Sequence, residues 1–139
     1  MILTVPLGWI NSNFADPRDP FYGQIAPLFD RINVMTYDMA GPWQGWQSWH
    51  NSALYGERPT TPSSVASSLA FYLASGVPAA TLGVGTAFYG YCWQGVTGPR
   101  QDGGNIAASD GAISYTNIID SYYTSAVHVW DTTARVPYL

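Results

Sequence analysis

Three short apolar runs, at residues 2–7, 32–37 and 81–89, alternate with two stretches of helical spacing. This alternation limits the fold more than any other property of the chain. The first run closes on Gly8 and a polar loop. Asp19-Pro20 then reads as a helix N-cap and first helical residue, because the carboxylate can accept an unpaired amide and proline has no amide to leave unpaired. Phe21, Ile25, Leu28 and Phe29 follow at i, i+4, i+7 and i+8, one face of a helix. Pro27 within it predicts a short or kinked helix. Thr61-Pro62 repeats the start, Val65, Leu69, Tyr72 and Leu73 continue at helical spacing, and Gly76 supplies the left-handed stop. Gly83 and Gly85 in the third run mark close backbone approaches. Strand and helix in this order predict βα units on a parallel sheet, an α/β fold.

Past Gly90 the pattern changes. Residues 94–111 read as a Gly-rich loop or hairpin region, and a short helix is expected within 114–123. Three strands cannot close a (β/α)8 TIM barrel, which takes about 250 residues. Either the sheet is small and open, or it is part of a larger barrel. The second fits better, since the outer strands of so apolar a sheet would otherwise carry unpaired edges.

Composition narrows the function. Only 10% of the residues are charged, against roughly 25% in an average soluble domain. Lysine is absent, the net charge is −4, and the five arginines are scattered, which excludes nucleic acid as a partner. A chain poor in charge and rich in Trp, Tyr, Ser, Thr and Asn suits a neutral polar ligand such as carbohydrate. Cys92 has no partner for an internal disulfide and reads as a buried thiol. His50, His128 and one cysteine have no metal-ligand spacing, so neither metal nor cofactor is expected. No charge lies between Arg58 and Arg100, but Gly76, Pro78, Gly83 and Gly85 interrupt that stretch well before the ~20 apolar residues of a membrane span. The first eight residues lack the basic region and cleavage site of a signal peptide.

Alternation along a strand places Asn33, Met35 and Tyr37 on one face and Ile32, Val34 and Thr36 on the other. Met35 and Tyr37 then stack toward the C-terminal mouth of a barrel, where such folds keep their sites, and Asp38 follows at the strand end. Tyr89 and Tyr91 show the same spacing at the end of the third run. Trp43, Trp46, Trp49 and Trp93 lie just beyond these ends, and indoles stack on the apolar faces of flat partners such as sugar rings. The alternative, that all four are ordinary core aromatics, is disfavoured by their clustering. Asp38 is the one carboxylate in an aromatic, charge-poor segment. Asp16 and Asp19 belong to a turn and a cap, Asp30 precedes a strand, and Glu57 neighbours Arg58. Asp102 and Asp110 fall in the Gly-rich region, and Asp120 and Asp131 in the C-terminal segment. Most glycosidases use two carboxyls, and no such pair assembles from this pattern.

Asn33-Val-Met-Thr-Tyr-Asp-Met-Ala-Gly-Pro-Trp43 resembles the sixth barrel strand of chitinases of glycoside hydrolase family 18. Leu3-Thr-Val-Pro6 is similar to the family's fifth strand. Gly76-Val-Pro-Ala79 with Leu82-Gly-Val-Gly-Thr-Ala-Phe-Tyr-Gly90 is similar to the seventh and its approach. Trp130-Asp131 and Val136-Pro-Tyr-Leu139 resemble the α+β insertion that follows. The resemblance implies a partial TIM-barrel catalytic domain over 1–93 and the start of the insertion over 94–139.

It also implies retaining, substrate-assisted hydrolysis of β-1,4-linked N-acetylglucosamine, in which the substrate's acetamido oxygen attacks while a glutamic acid protonates the leaving oxygen. On that pattern Tyr37 and Asp38 are the catalytic residues, Tyr37 donating to the acetamido group and Asp38 bonding the sugar. Met35, Trp43, Tyr89, Tyr91 and Trp93 bind substrate, with Trp43 on the leaving-group side. Two departures stand out. The family's Asp-x-x-Asp-x-Asp-x-Glu strand, which carries the acid, is not in the sequence, and neither is the eighth strand with its tryptophan. Tyr91 stands where many members have the arginine of Tyr-Gly-Arg.

The expected function is therefore that of a chitinase fragment, inactive alone, acting on chitin or chito-oligosaccharides and secreted. The alternatives are a non-catalytic, lectin-like chitin-binding protein and an unrelated open α/β domain. Open barrel edges also predict self-association.

Overall fold

A computed structural model describes residues 1–107 and 112–139. Strands β1 (Thr4–Gly8), β2 (Arg31–Met35) and β3 (Leu82–Val84) form a parallel sheet in the order β1-β2-β3. Thr4 lies opposite Arg31 and Gly8 opposite Met35, while Ile32 pairs with Leu82 and Val34 with Val84. The ends of all three strands therefore come out on one edge of the sheet.

Helix α1 (Pro20–Ile25) joins β1 to β2, and the Asp19 carboxylate accepts from the Phe21 amide at 2.9 Å, as the sequence predicts. At Pro27 the chain tightens into a 3-10 turn, Ala26–Leu28. That tightening rotates the buried face away from the expected one: Phe21 and Leu28 are exposed, and Ala26 is buried instead. Tyr22 turns inward, its ring meeting Phe71 and Tyr72 edge-on at 5.6 and 5.0 Å.

Helix α2 (Val65–Ala74) starts three residues later than Thr61-Pro62 suggested. Ser64 is the true cap. Its hydroxyl accepts from the Ser67 amide, and the Ser67 hydroxyl accepts from the Ser64 amide, a reciprocal capping box. Thr61 is used otherwise, exchanging backbone hydrogen bonds with Arg58. Gly76 ends the helix at φ +90°, as expected.

The alternation on β2 is as read from the sequence. Ile32, Val34 and Thr36 are wholly buried and Asn33 is exposed. Ile32 and Val34 form a core with Ala26, Phe71, Tyr72 and Val77. The Tyr72 hydroxyl donates to the Gly8 carbonyl at 2.6 Å, tying α2 to the end of β1.

The third apolar run is not one strand. β3 stops at Val84, and Tyr89–Gly90 forms a separate strand, β4, paired antiparallel with Ile113–Ser114. The Gly85 amide still donates to the Val34 carbonyl, but the Thr36 hydroxyl takes the Gly85 carbonyl at 2.7 Å. The Thr36 amide meanwhile folds back on Val34, so a side chain replaces the backbone ladder. Gly85 lies so close to β2 that a Cβ there would stand 2.8 Å from the Val34 carbonyl oxygen.

The remainder is antiparallel and local. β5 (Trp93–Gln94) pairs with β6 (Asn105–Ile106), so the expected Gly-rich hairpin exists, although Asp110 and Gly111 lie outside the described residues. Ile113–Ser114 is β7, and Ser114 caps α3 (Tyr115–Ser121). β8 (Val129–Asp131) and β9 (Val136–Tyr138) close a hairpin. A second cluster of Met39, Ala40, Trp49, Ala53, Val65 and Ala134 joins this hairpin to the long loop after β2. Cys92 is half-buried, not buried as expected. No helix among the described residues is long and apolar enough to cross a membrane.

Candidate functional site

Asp38 is the focus of the site. It follows β2 in the left-handed region at φ +57°, which aspartate tolerates better than most residues. Its amide donates to Asn51 Oδ1 at 2.9 Å. Its Oδ1 accepts two phenolic hydrogen bonds, from Tyr89 at 2.5 Å and Tyr91 at 2.6 Å, lengths typical of hydroxyls on an ionised carboxylate. Oδ2 accepts from no described residue, and Asp38 is exposed. Burial, and then the bond to Asp38 and its charge, push the Tyr89 hydroxyl well above the usual phenol range. The same causes push Tyr91 up to about 12, so both remain donors at neutral pH.

Asn51 locks the arrangement from behind, its Nδ2 donating to the Tyr89 carbonyl at 3.0 Å. One side chain thus fixes the backbone on both sides of the carboxylate. Nothing in the sequence pattern marked Asn51, since its partners are 13 and 38 residues away.

Tyr37 packs edge-on against Tyr89 at 6.1 Å, and Tyr89 against Tyr91 at 5.9 Å. The Tyr37 ring owes its place to Gly85, since a Cβ there would stand 2.9 Å from Tyr37 Cε1. Tyr37 is half-buried, and its hydroxyl bonds to no described residue, leaving it free for a ligand. Met35, also half-buried, ends β2 two residues earlier, on the face where alternation places Tyr37.

The tryptophans divide. Trp43 is 44% exposed and folds back on Gly41, where a Cβ would come within 2.7 Å of its ring. Trp46 and Trp9 flank it at 4.6 and 6.2 Å, making an aromatic shelf beyond the ends of β1 and β2. Trp9 was missed in the sequence, although its place directly after Gly8, at a strand end, is the signal that marked the others. Trp49 does not join the shelf. It is 2% exposed, donates to the Ser63 carbonyl and lies under the Arg100 guanidinium, so for this residue the core reading is correct. Trp93 is half-buried against the second cluster, its indole donating to the Trp49 carbonyl at 3.2 Å.

Asp131, read from sequence as an unremarkable C-terminal carboxylate, is the most heavily bonded of the acids. Its Oδ2 lies 2.8 Å from His50 Nε2 and 2.7 Å from Arg100 Nη2, and its Oδ1 accepts the Thr133 and Ala134 amides. Burial alone would raise its pKa, but hydrogen bonds from His50, Ala134, Arg100 and Thr133 outweigh that and hold it far below the usual carboxylate range. Burial lowers the His50 pKa more than Asp131 restores it, so the imidazole is neutral at pH 7 and, against an ionised Asp131, carries its hydrogen on Nε2. These groups staple the β8–β9 hairpin to the segment carrying Asn51.

A tyrosine-held carboxylate beside an indole shelf, at the C-terminal ends of parallel strands, agrees with the match of residues 12–139 to the profile of glycosyl hydrolases family 18. The chain belongs to that family. It is 32% identical over 134 residues to chitinase A1 of Niallia circulans, covering 84% of this chain and 19% of that protein. Among solved structures it is similar to chitinase ChiW from Paenibacillus, with a TM-score of 0.75 and 34% identity, covering 99% of this chain and 16% of that one. The group IV chitinase of Ostrinia furnacalis in complex with allosamidin gives a TM-score of 0.75 at 28% identity, covering 99% of this chain and 41% of that one. The chain spans less than half the length of each of these relatives.

Proposed function

We propose that this family 18 chain is the substrate-positioning part of a chitinase site, its three parallel strands being consecutive staves of a (β/α)8 barrel. The boundary between barrel and insertion falls near Trp93, past the point where pairing turns from parallel to antiparallel. The observation that carries the reading is the Asp38 carboxylate held by Tyr89 and Tyr91.

The ligand is a β-1,4-linked N-acetylglucosamine oligomer. Tyr37 donates its free hydroxyl to the acetamido group, a fixed dipole aimed at charge that grows as the acetamido oxygen attacks the sugar carbon. Asp38 accepts from a sugar hydroxyl through Oδ2, Met35 forms the floor, and Trp43 stacks on the leaving-group side. Tyr89, Tyr91 and Trp93 line the cleft. The general acid comes from residues outside these 139, because the sequence has one glutamate, Glu57, which neighbours Arg58 in the loop after β2. An insoluble polymer substrate places the protein's work outside the cell.

Titration with N-acetylglucosamine oligomers, followed by tryptophan fluorescence, tests the reading. Saturable quenching that weakens at least tenfold in Trp43→Ala is expected, with no hydrolysis by the isolated chain. No quenching by any oligomer refutes it. If the gene's upstream sequence proves to encode no Asp-x-Asp-x-Glu strand, the lectin-like alternative replaces the chitinase.

A further inference from the structure

We propose that Asp38 makes this site prefer a β-1,4 oligomer with one free amine, a glucosamine unit among N-acetylglucosamines, over the fully acetylated oligomer. The inference rests on the chitinase reading of the site and specifies its substrate as partially deacetylated chitin.

The argument is one of uncompensated charge. Asp38 is exposed at the strand end, and the two groups bonded to it are neutral phenols, both on Oδ1. Hydrogen bonds from phenols fix the carboxylate without cancelling its charge, as burial and the carboxylate itself keep both hydroxyls protonated. Among the described residues no cation pairs with it either. The ion pair found among the described residues, Arg100 with Asp131, lies elsewhere, and the neutral His50 bonds that same carboxylate. Arg100 is held there and over Trp49, and Arg135 lies over Tyr55. Arg31 opens β2, at the far end of the strand from Asp38, and bonds the Ala80 carbonyl. The chain has no lysine and a net charge of −4. At 91 the carboxylate meets a neutral phenol, not a cation.

Such a carboxylate gains more from an ammonium than from a hydroxyl, because the ligand brings the counter-charge and keeps its other hydrogen bonds. A free amine at every sugar would remove the acetamido group that Tyr37 serves, so preference is confined to one position in the oligomer.

The test is calorimetric titration of the 139-residue chain with the fully acetylated tetramer and the four tetramers that each carry one free amine, in mildly acidic, low-salt buffer. One isomer is expected to bind about fivefold tighter than the acetylated tetramer, a charge-assisted bond discounted for exposure. High salt should shrink the advantage. Asp38→Asn should abolish it, and so should Tyr91→Arg, which brings a counter-charge to the carboxylate. Four isomers that bind no tighter than the acetylated tetramer overturn the preference and leave the chitinase reading standing. Failure of all five tetramers to bind overturns both.

Discussion

Replacing Asp131 tests what holds the site together, because that one side chain collects four donors. In Asp131→Ala the Thr133 and Ala134 amides and the His50 and Arg100 side chains all lose their acceptor. A buried donor without a partner costs about 1–3 kcal/mol, but Arg100 is partly exposed and recovers some hydration. The expected loss is about 3–5 kcal/mol, the range for breaking a buried pair from one side. Asp131→Asn keeps an oxygen for the two amides and turns an NH2 toward His50 and Arg100. His50 can accept by switching tautomer, whereas arginine cannot accept, so the loss is about 2 kcal/mol.

Urea unfolding followed by tryptophan fluorescence reads both variants as a shift in midpoint at constant slope. Losses below about 0.5 kcal/mol in both would refute the argument. The acid side gives a second check. The folded pKa of Asp131 lies below its unfolded value, so its stabilisation is present above the ordinary 3.8 and is lost as pH falls toward the folded value. His50 is also lowered, so below its ordinary 6.5 the unfolded chain takes up the proton first and stability already declines. Wild type should weaken in both windows, and Asp131→Asn should lack the carboxylate part of the lower one.

Gly85→Ala should cost about 1–3 kcal/mol and weaken oligosaccharide binding as well, because its Cβ meets both the Val34 carbonyl and the Tyr37 ring; unchanged binding would show that Gly85 does not set the Tyr37 ring. Gly41→Ala should push the Trp43 indole off its seat, lowering oligosaccharide affinity about tenfold while the unfolding free energy from urea stays within about 0.5 kcal/mol of wild type. Affinity equal to wild type would mean that Trp43 is not the platform. The outer edges of β1 and β3 are unpaired among the described residues, so sedimentation should show concentration-dependent association of the isolated chain; a monomer at micromolar concentration would contradict this.

What was legible of the fold was whatever depends on neighbours in the chain. Asp19 caps α1, Gly76 ends α2, and β2 alternates its faces, each through interactions spanning a few residues. The errors came where a local signal competed with a better one nearby. Thr61-Pro62 has the form of a helix start, yet Ser64 is the cap, in a reciprocal box with Ser67, while Thr61 exchanges backbone hydrogen bonds with Arg58. The run 81–89 has strand composition throughout, but Thr36 spends its hydroxyl on Gly85 and ends the ladder, a contact 49 residues apart that no window of the sequence contains.

The site divides along the same line. Tyr37, Asp38, Tyr89 and Tyr91 were legible because strand ends and two-residue spacing mark them; the structure joins Tyr89 and Tyr91 to Asp38 through one carboxylate oxygen and packs Tyr37 edge-on against Tyr89. The framework behind them was not. Asn51 and Asp131 look like ordinary polar loop residues, and only the folded chain shows that they act in series. Asp131 holds His50, and the next residue, Asn51, holds the Asp38 amide and the Tyr89 carbonyl. The β8–β9 hairpin is thereby coupled to the carboxylate through two adjacent residues. If that coupling is mechanical, Asp131→Asn should weaken oligosaccharide binding even where the chain is fully folded, and Asn51→Ala should reproduce the weakening with the staple intact. Wild-type affinity in folded Asp131→Asn would reduce Asp131 to a stability element and leave Asn51 to hold the Asp38 backbone without it.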